Sequence, residues 1–184
     1  MESQDEIKYI KRILDGETNL FAYFINSYSN SIYSLIVRII PSKEDAEELV
    51  QDTFLKAFRK LDTFRGDCSF STWLFRIGYN TAVSATRKRK TIFPVVDESQ
   101  LEQVVDEDVD TIFDNENDED LLQRLEVAIE KLNTEDKALI TLFYFENKPV
   151  AEVSEVLQLT TENVKVKLHR IRKKLYVLIN MKTK

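Results

Sequence analysis

Cysteine occurs once in this 184-residue chain, at Cys68, so neither an internal disulfide nor a cysteine-rich zinc site can form. Histidine also occurs once, at His169, and a lone histidine is no metal site. Glycine and proline number three each, and alternating Val/Ile/Thr runs are scarce. Few turns and no hairpins are signalled, which predicts an all-α protein. No stretch reaches the roughly 18 apolar residues of a membrane span. The opening MESQDEIKYIKRIL lacks a basic segment followed by an apolar one. The expectation is a cytoplasmic protein without direct membrane insertion. A phosphate-cradling glycine loop, a metal-ligand cluster and a nucleophile–histidine arrangement are also missing, which argues against an enzyme, a cofactor, a metal or a small-molecule substrate.

Basic residues are absent from residues 97–120, where twelve acidic side chains stand without one Lys or Arg. The formal net charge of −6 therefore hides the character of the rest, which holds 26 basic against 20 acidic residues. Eight Lys/Arg against Glu162 alone fall within residues 160–184, and five against none within 68–96. Two basic surfaces joined by a self-repelling acidic tether suggest two nucleic-acid contacts. The expected organisation is a domain over residues 1–92, an acidic flexible linker over 93–120, and a second domain over 121–184. The second is small enough to be marginally stable alone.

Hydrophobic spacing predicts a helix over residues 5–14, with Ile7, Ile10, Ile13 and Leu14 on one side. A second helix, over 20–40, closes at Pro41, because the residue before proline is pushed out of the α region. Ser42 is suited to cap a third helix running to about residue 61, whose inward face comprises Ala46, Leu49, Val50, Thr53, Phe54, Ala57 and Phe58. A loop follows, and Ser71 is expected to cap a fourth helix ending in the basic run 87–90. Beyond the spacer, Leu121, Leu122, Leu125, Ile129 and Leu132 form a stripe, and Thr134 is expected to cap the next helix. Pro149 opens a short helix, residues 158–160 make a break, and a longer basic helix runs over 161–179. A short helix, a three-residue turn and a basic helix are the layout of a helix-turn-helix.

On a helical wheel, Val164, Leu168, Ile171, Leu175 and Leu178 form the buried stripe of the last helix. The opposite face holds Glu162, Val166, His169, Arg170 and Lys173, with Lys165 and Arg172 on one flank and Lys167 and Lys174 near the other. Arg170 and Lys165 suit guanine O6/N7, Val166 a thymine methyl, and Lys167, Lys173 and Lys174 suit phosphates. The earlier basic site interleaves Phe64, Phe70, Trp73, Phe75 and Tyr79 with Arg65, Arg76 and the 87–90 run. Rings beside cations suit single-stranded bases, although the same rings also suit a core.

The run DAEELVQDTFLKAFRKLDTFRGDCSFSTWLFRIGYNTAVSATRKRK resembles region 2 of the sigma-70 family, in its extracytoplasmic-function branch. LNTEDKALITLFYFENKPVAEVSEVLQLTTENVKVKLHRIRKKL resembles region 4 of the same branch. The resemblance implies a factor that binds core RNA polymerase, through its beta and beta-prime subunits, and directs it to promoter DNA, with an anti-sigma factor as a further partner. It implies polymerase contacts at Asp45, Glu48, Leu49, Gln51, Asp52 and Leu55. It implies a −10 reader comprising Phe64, Arg65, Asp67, Ser69, Phe70, Ser71, Trp73, Arg76, Asn80, Arg87 and Arg89. The −35 reader it implies contains Thr161, Lys165, Val166, Lys167, His169, Arg170, Arg172 and Lys173. Gln158 stands where relatives usually have glycine in the turn. The competing reading is a regulator that binds duplex DNA through residues 134–179 without polymerase, and uses residues 1–90 for dimerisation or ligand sensing.

Overall fold

Pro41 and Ser42 set the first corner of the molecule. The structure, a computed structural model, describes residues 2–87, 96, 98–106, 109 and 119–180. Helix α1 (Glu2–Leu14) leads through a 3₁₀ turn (Thr18–Leu20) into α2 (Phe21–Ile39). Ile40 is extended ahead of the proline, and the Ser42 hydroxyl accepts the Asp45 N–H at 3.1 Å to start α3 (Lys43–Arg59). After a second 3₁₀ turn (Leu61–Thr63), α4 (Phe70–Thr86) completes a four-helix lobe. Its cap is Ser69, whose Oγ accepts the Thr72 N–H at 3.1 Å. Ser71, expected to be the cap, instead lies buried inside the first turn.

Beyond the short helix α5 (Glu98–Glu102), the second lobe comprises α6 (Glu119–Glu130), α7 (Thr134–Ile140), α8 (Val150–Leu157) and α9 (Thr161–Asn180). Asn133, rather than Thr134, caps α7: its Oδ1 accepts the Asp136 N–H at 2.8 Å. After Ile140 the winding widens into a π turn over Thr141–Phe145, closed by Glu146 N–H to Thr141 C=O at 2.9 Å. All the described elements are helical or irregular, as the composition predicts.

The inward faces were only partly readable. Ile10 and Ile13 are buried, but Ile7 and Leu14 are exposed. Glu6 takes the inner position instead, accepting a hydrogen bond from the Tyr28 hydroxyl. Phe58 and Leu122 are likewise exposed, whereas Thr53, Phe54, Leu121 and Ile129 are buried as expected. Phe24, Ile32, Leu35, Ile36, Phe70, Leu74 and Phe75 fill the first lobe, and Leu139, Leu142, Ile171 and Leu175 the second.

The two lobes are in contact. Helix α8 packs along α4, and α7 along α2. The Thr72 hydroxyl donates to the Glu152 carboxylate at 2.6 Å, and Lys148 Nζ reaches Ser71 Oγ at 2.7 Å and Glu152 at 3.0 Å. The Arg38 guanidinium lies 3.8 Å from the centre of the Phe145 ring. The described linker residues do not form the free tether that like-charge repulsion suggests. Leu101, Val104 and Val109 are buried, and α5 packs against α9, because apolar residues interrupt the acidic run at intervals of three to five.

Candidate nucleic-acid interface

Helix α3 presents an open apolar groove with α2, about 650 Å³ in volume, whose walls include Ile25, Tyr33, Val50, Leu55 and Phe58. Leu55 is 52% exposed, far more than a leucine on a packed helix face needs. Of the six residues expected to meet polymerase, Gln51 and Leu55 line the groove and Glu48 is exposed. Asp45, Leu49 and Asp52 are half-buried on the same helix. Ile25 and Tyr33 escaped the sequence reading, and Phe58, read as inward, stands exposed on the groove wall instead. The signal for Ile25 and Tyr33 was the density of Phe, Tyr and Ile along α2, which makes a wider apolar face than a helix packed on one side requires.

A second cavity, about 340 Å³, opens at the start of α4 and is lined by Thr63, Phe64, Arg65, Gly66, Asp67, Cys68, Trp73, Arg76 and Glu155. Gly66 holds a positive φ of 79°, which turns the loop over the cavity. Phe64, Arg65, Asp67, Trp73 and Arg76 of the expected −10 set are thus brought together. Asn80 and Arg87 are exposed further along or beyond the helix, while Ser69 and Ser71 serve the cap and the junction. Phe70 is the correction. It is 2% exposed and packs on Phe24 (ring centroids 4.1 Å apart), Phe64 and Trp73, so in this conformation it offers no face to a base. Arg89 and the rest of the 88–90 run lie outside the described residues. Glu155, from the other lobe, is a wall no spacing could foretell. Burial and the Glu155 carboxylate push the Cys68 thiol up, away from reactive thiolate character.

The last helix is an exposed ridge. Thr160 Oγ1 accepts the Asn163 N–H at 3.1 Å, and Thr161 is the first helical residue. Val164, Leu168, Ile171, Leu175 and Leu178 are buried as the wheel predicts. Lys165, Val166, His169 and Arg170 face outward, Val166 at 66% exposure. Arg172 is half-buried on the flank. The lysines assigned to phosphates divide into two kinds. Lys167 pairs with Glu135 at 2.5 Å and Lys173 with Asp106 at 3.0 Å. Lys174, by contrast, meets the buried Asp136 at 2.7 Å, the same carboxylate that lies at the capped start of α7. It is a structural cation that fixes α9 to α7 rather than a phosphate ligand. Among the described residues no group of three or more His, Cys, Asp or Glu is arranged to hold a metal ion, and no helix is long and apolar enough to cross a membrane.

Sigma-70 region 2 matches residues 24–92, and sigma-70 region 4 matches residues 122–175. The ECF RNA polymerase sigma factor SigW of Bacillus subtilis (strain 168) is 29% identical over 174 residues, covering 91% of this chain and 93% of the relative. In fold, the chain is similar to CnrH in complex with the cytosolic domain of CnrY, with a TM-score of 0.67 at 23% identity, covering 95% of this chain and 97% of that one. It is also similar to the sigma factor RpoE in complex with the anti-sigma factor NepR from Bartonella quintana, with a TM-score of 0.64 at 21% identity over 89% of this chain and 98% of that one. An all-helical chain whose two lobes match region 2 and region 4 in that order, with a curated relative of nearly equal length, belongs to the sigma-70 family, in its extracytoplasmic-function branch.

Proposed function

We propose that this promoter-specific transcription-initiation factor docks on core RNA polymerase through the α2–α3 groove and reads DNA with one surface in each lobe. The cavity at Phe64–Arg76 takes an unstacked −10 base, and the outer face of α9 enters the −35 major groove. The observation that carries this reading is the groove itself: Ile25, Leu55 and Phe58 form an apolar surface that a self-sufficient DNA binder has no need to expose. Residues 1–92 then act as the polymerase-binding and −10 domain, 93–120 as the linker and 121–184 as the −35 domain. Strand opening is driven by binding energy, with no chemistry from this chain.

Concave and ridge-like surfaces suit these two tasks. A flipped base needs a pocket with rings and cations at its mouth, which Phe64, Trp73, Arg65 and Arg76 supply. Duplex reading needs a helix that projects, which α9 does. Because the relative RpoE is seen with an anti-sigma factor, a protein of that kind is a second partner we assign to this chain.

The test is co-purification with core polymerase. Leu55→Asp should abolish it while leaving the helical circular-dichroism spectrum unchanged, since Leu55 is exposed. Full polymerase binding by that variant would overturn the groove as the docking surface, and sequence-specific operator binding by the chain alone, at an affinity that polymerase does not raise, would favour the regulator reading instead.

A further inference from the structure

The linker's apolar residues are buried, and its aspartate lies on the reading helix. Asp106 Oδ1 is 3.0 Å from Lys173 Nζ and 3.4 Å from His169 Nε2, and both partners belong to the face assigned to −35 DNA. On either side of it Leu101, Val104 and Val109 are buried, and α5 packs on α9. Three anchored apolar side chains around one paired carboxylate make a strap. Because Lys173 reaches Asp106 through a hydrogen bond and its charge, the carboxyl is held below its ordinary range and stays ionised at neutral pH.

We propose that residues 98–106, together with Val109, form an autoinhibitory strap on α9, in which Asp106 occupies a phosphate position at Lys173 and His169 and must leave before the helix seats in the major groove. The inference rests on the assignment of α9 as a duplex reader. A strap of this kind holds the reading face out of non-specific DNA until a stronger competitor displaces it. Its described anchors include three apolar side chains and an ion pair whose carboxylate is exposed. Such a contact is weak enough to be released by docking energy.

The experiment uses the full chain and a labelled mixed-sequence 30-base-pair duplex, titrated across salt. Three proteins are compared: the unaltered chain, Asp106→Asn, and Glu102→Gln as a control that removes equal charge from an exposed position on α5. Release of Lys173 should tighten binding about three- to ten-fold for Asp106→Asn and steepen the salt slope by about 0.9, the signature of one more phosphate contact. The control should leave the slope unchanged. Equal effects of the two substitutions, or an unchanged slope for Asp106→Asn, would overturn the strap. A second readout needs no DNA: backbone amides over 98–106 should be protected from hydrogen exchange in the free chain and lose protection in a Leu101→Gln/Val104→Gln variant. Rapid exchange in the unaltered chain would overturn the strap even where DNA binds. Absence of duplex binding by all three proteins, with the protection as expected, would instead overturn the assignment of α9 as the reader.

Discussion

In the first lobe the candidate DNA surface is concave and made around rings; in the second it is a ridge made of cations. The first lobe packs Phe24, Phe64, Phe70 and Trp73 in mutual contact, so its pocket is an extension of its core. The second has an aliphatic core, and its lysines are held by acids: Lys167 by Glu135, Lys173 by Asp106 and Lys174 by Asp136. The difference shows how stability and recognition are related in each. Where the reader is a pocket, the same residues serve both. Where it is an exposed helix face, the two functions sit on opposite sides and can be altered separately.

That contrast is tested most severely in the first core. Phe24→Ala should cost about 3–5 kcal/mol, because a fully buried ring leaves a cavity. Trp73 is the only tryptophan and lies beside that core, so its emission should report the loss directly. A smaller effect is expected from Asp136→Ala, which strands the Lys174 ammonium and removes the acceptor it shares with Asn133, at about 2–3 kcal/mol. It should appear as lost helicity while Trp73 emission holds. Simultaneous loss of both signals would show that the lobes unfold as one unit and that the contrast is false.

Recognition should separate from stability only in the second lobe. Arg170→Ala should leave the fold intact, cost about 1–3 kcal/mol in promoter binding by holoenzyme, and relax preference at one base pair. Binding measurements across promoter variants check this, and a uniform loss at all sequences would assign Arg170 to phosphate. The smallest effect concerns the junction between the lobes. Burial raises the Glu152 carboxyl, but hydrogen bonds from Thr72 and Lys148 outweigh it and leave it below its ordinary value. A depressed carboxylate stabilises the contact at neutral pH and loses that contribution as pH falls through and below about 4.3. Small-angle scattering should show the chain expanding in that window, and Glu152→Gln should remove the pH step.

The helices were legible because periodicity and caps are local. Pro41 with Ser42, and the break at 158–160 before Thr161, fix boundaries through backbone sterics that a few residues encode. The turn itself was less readable. Gln158 adopts φ 57°, ψ 43°, a left-handed conformation that costs a residue other than glycine on the order of 1 kcal/mol. It persists because buried Val153, Val156 and Val164 fix the two helices it joins. The wheel placed Val166 and Arg170 outward correctly, since an exposed helix face is set by its own spacing. Phe70 was misplaced because rings beside cations look alike in a pocket and in a core. What no spacing carries is contact between distant residues. Ser71 was read as a cap and a −10 contact, and nothing in the spacing foretold that Lys148 would meet it or that Glu152 would meet Thr72.

The widened turn at Thr141–Phe145 has a consequence for chain length. In regular α winding each residue advances the helix by about 100°, so an insertion or deletion rotates everything that follows. A π turn accommodates one extra residue within a continuous helix, and here it brings Phe145 over Arg38. Removal of one residue from this turn would restore ordinary winding and swing that ring off its cation, altering how α8 and α9 are aimed relative to α2. The same deletion inside α9 would turn part of its reading face inward. The molecule therefore has a place where a one-residue change in length re-aims the helix-turn-helix without scrambling the face it presents, and another where length is fixed.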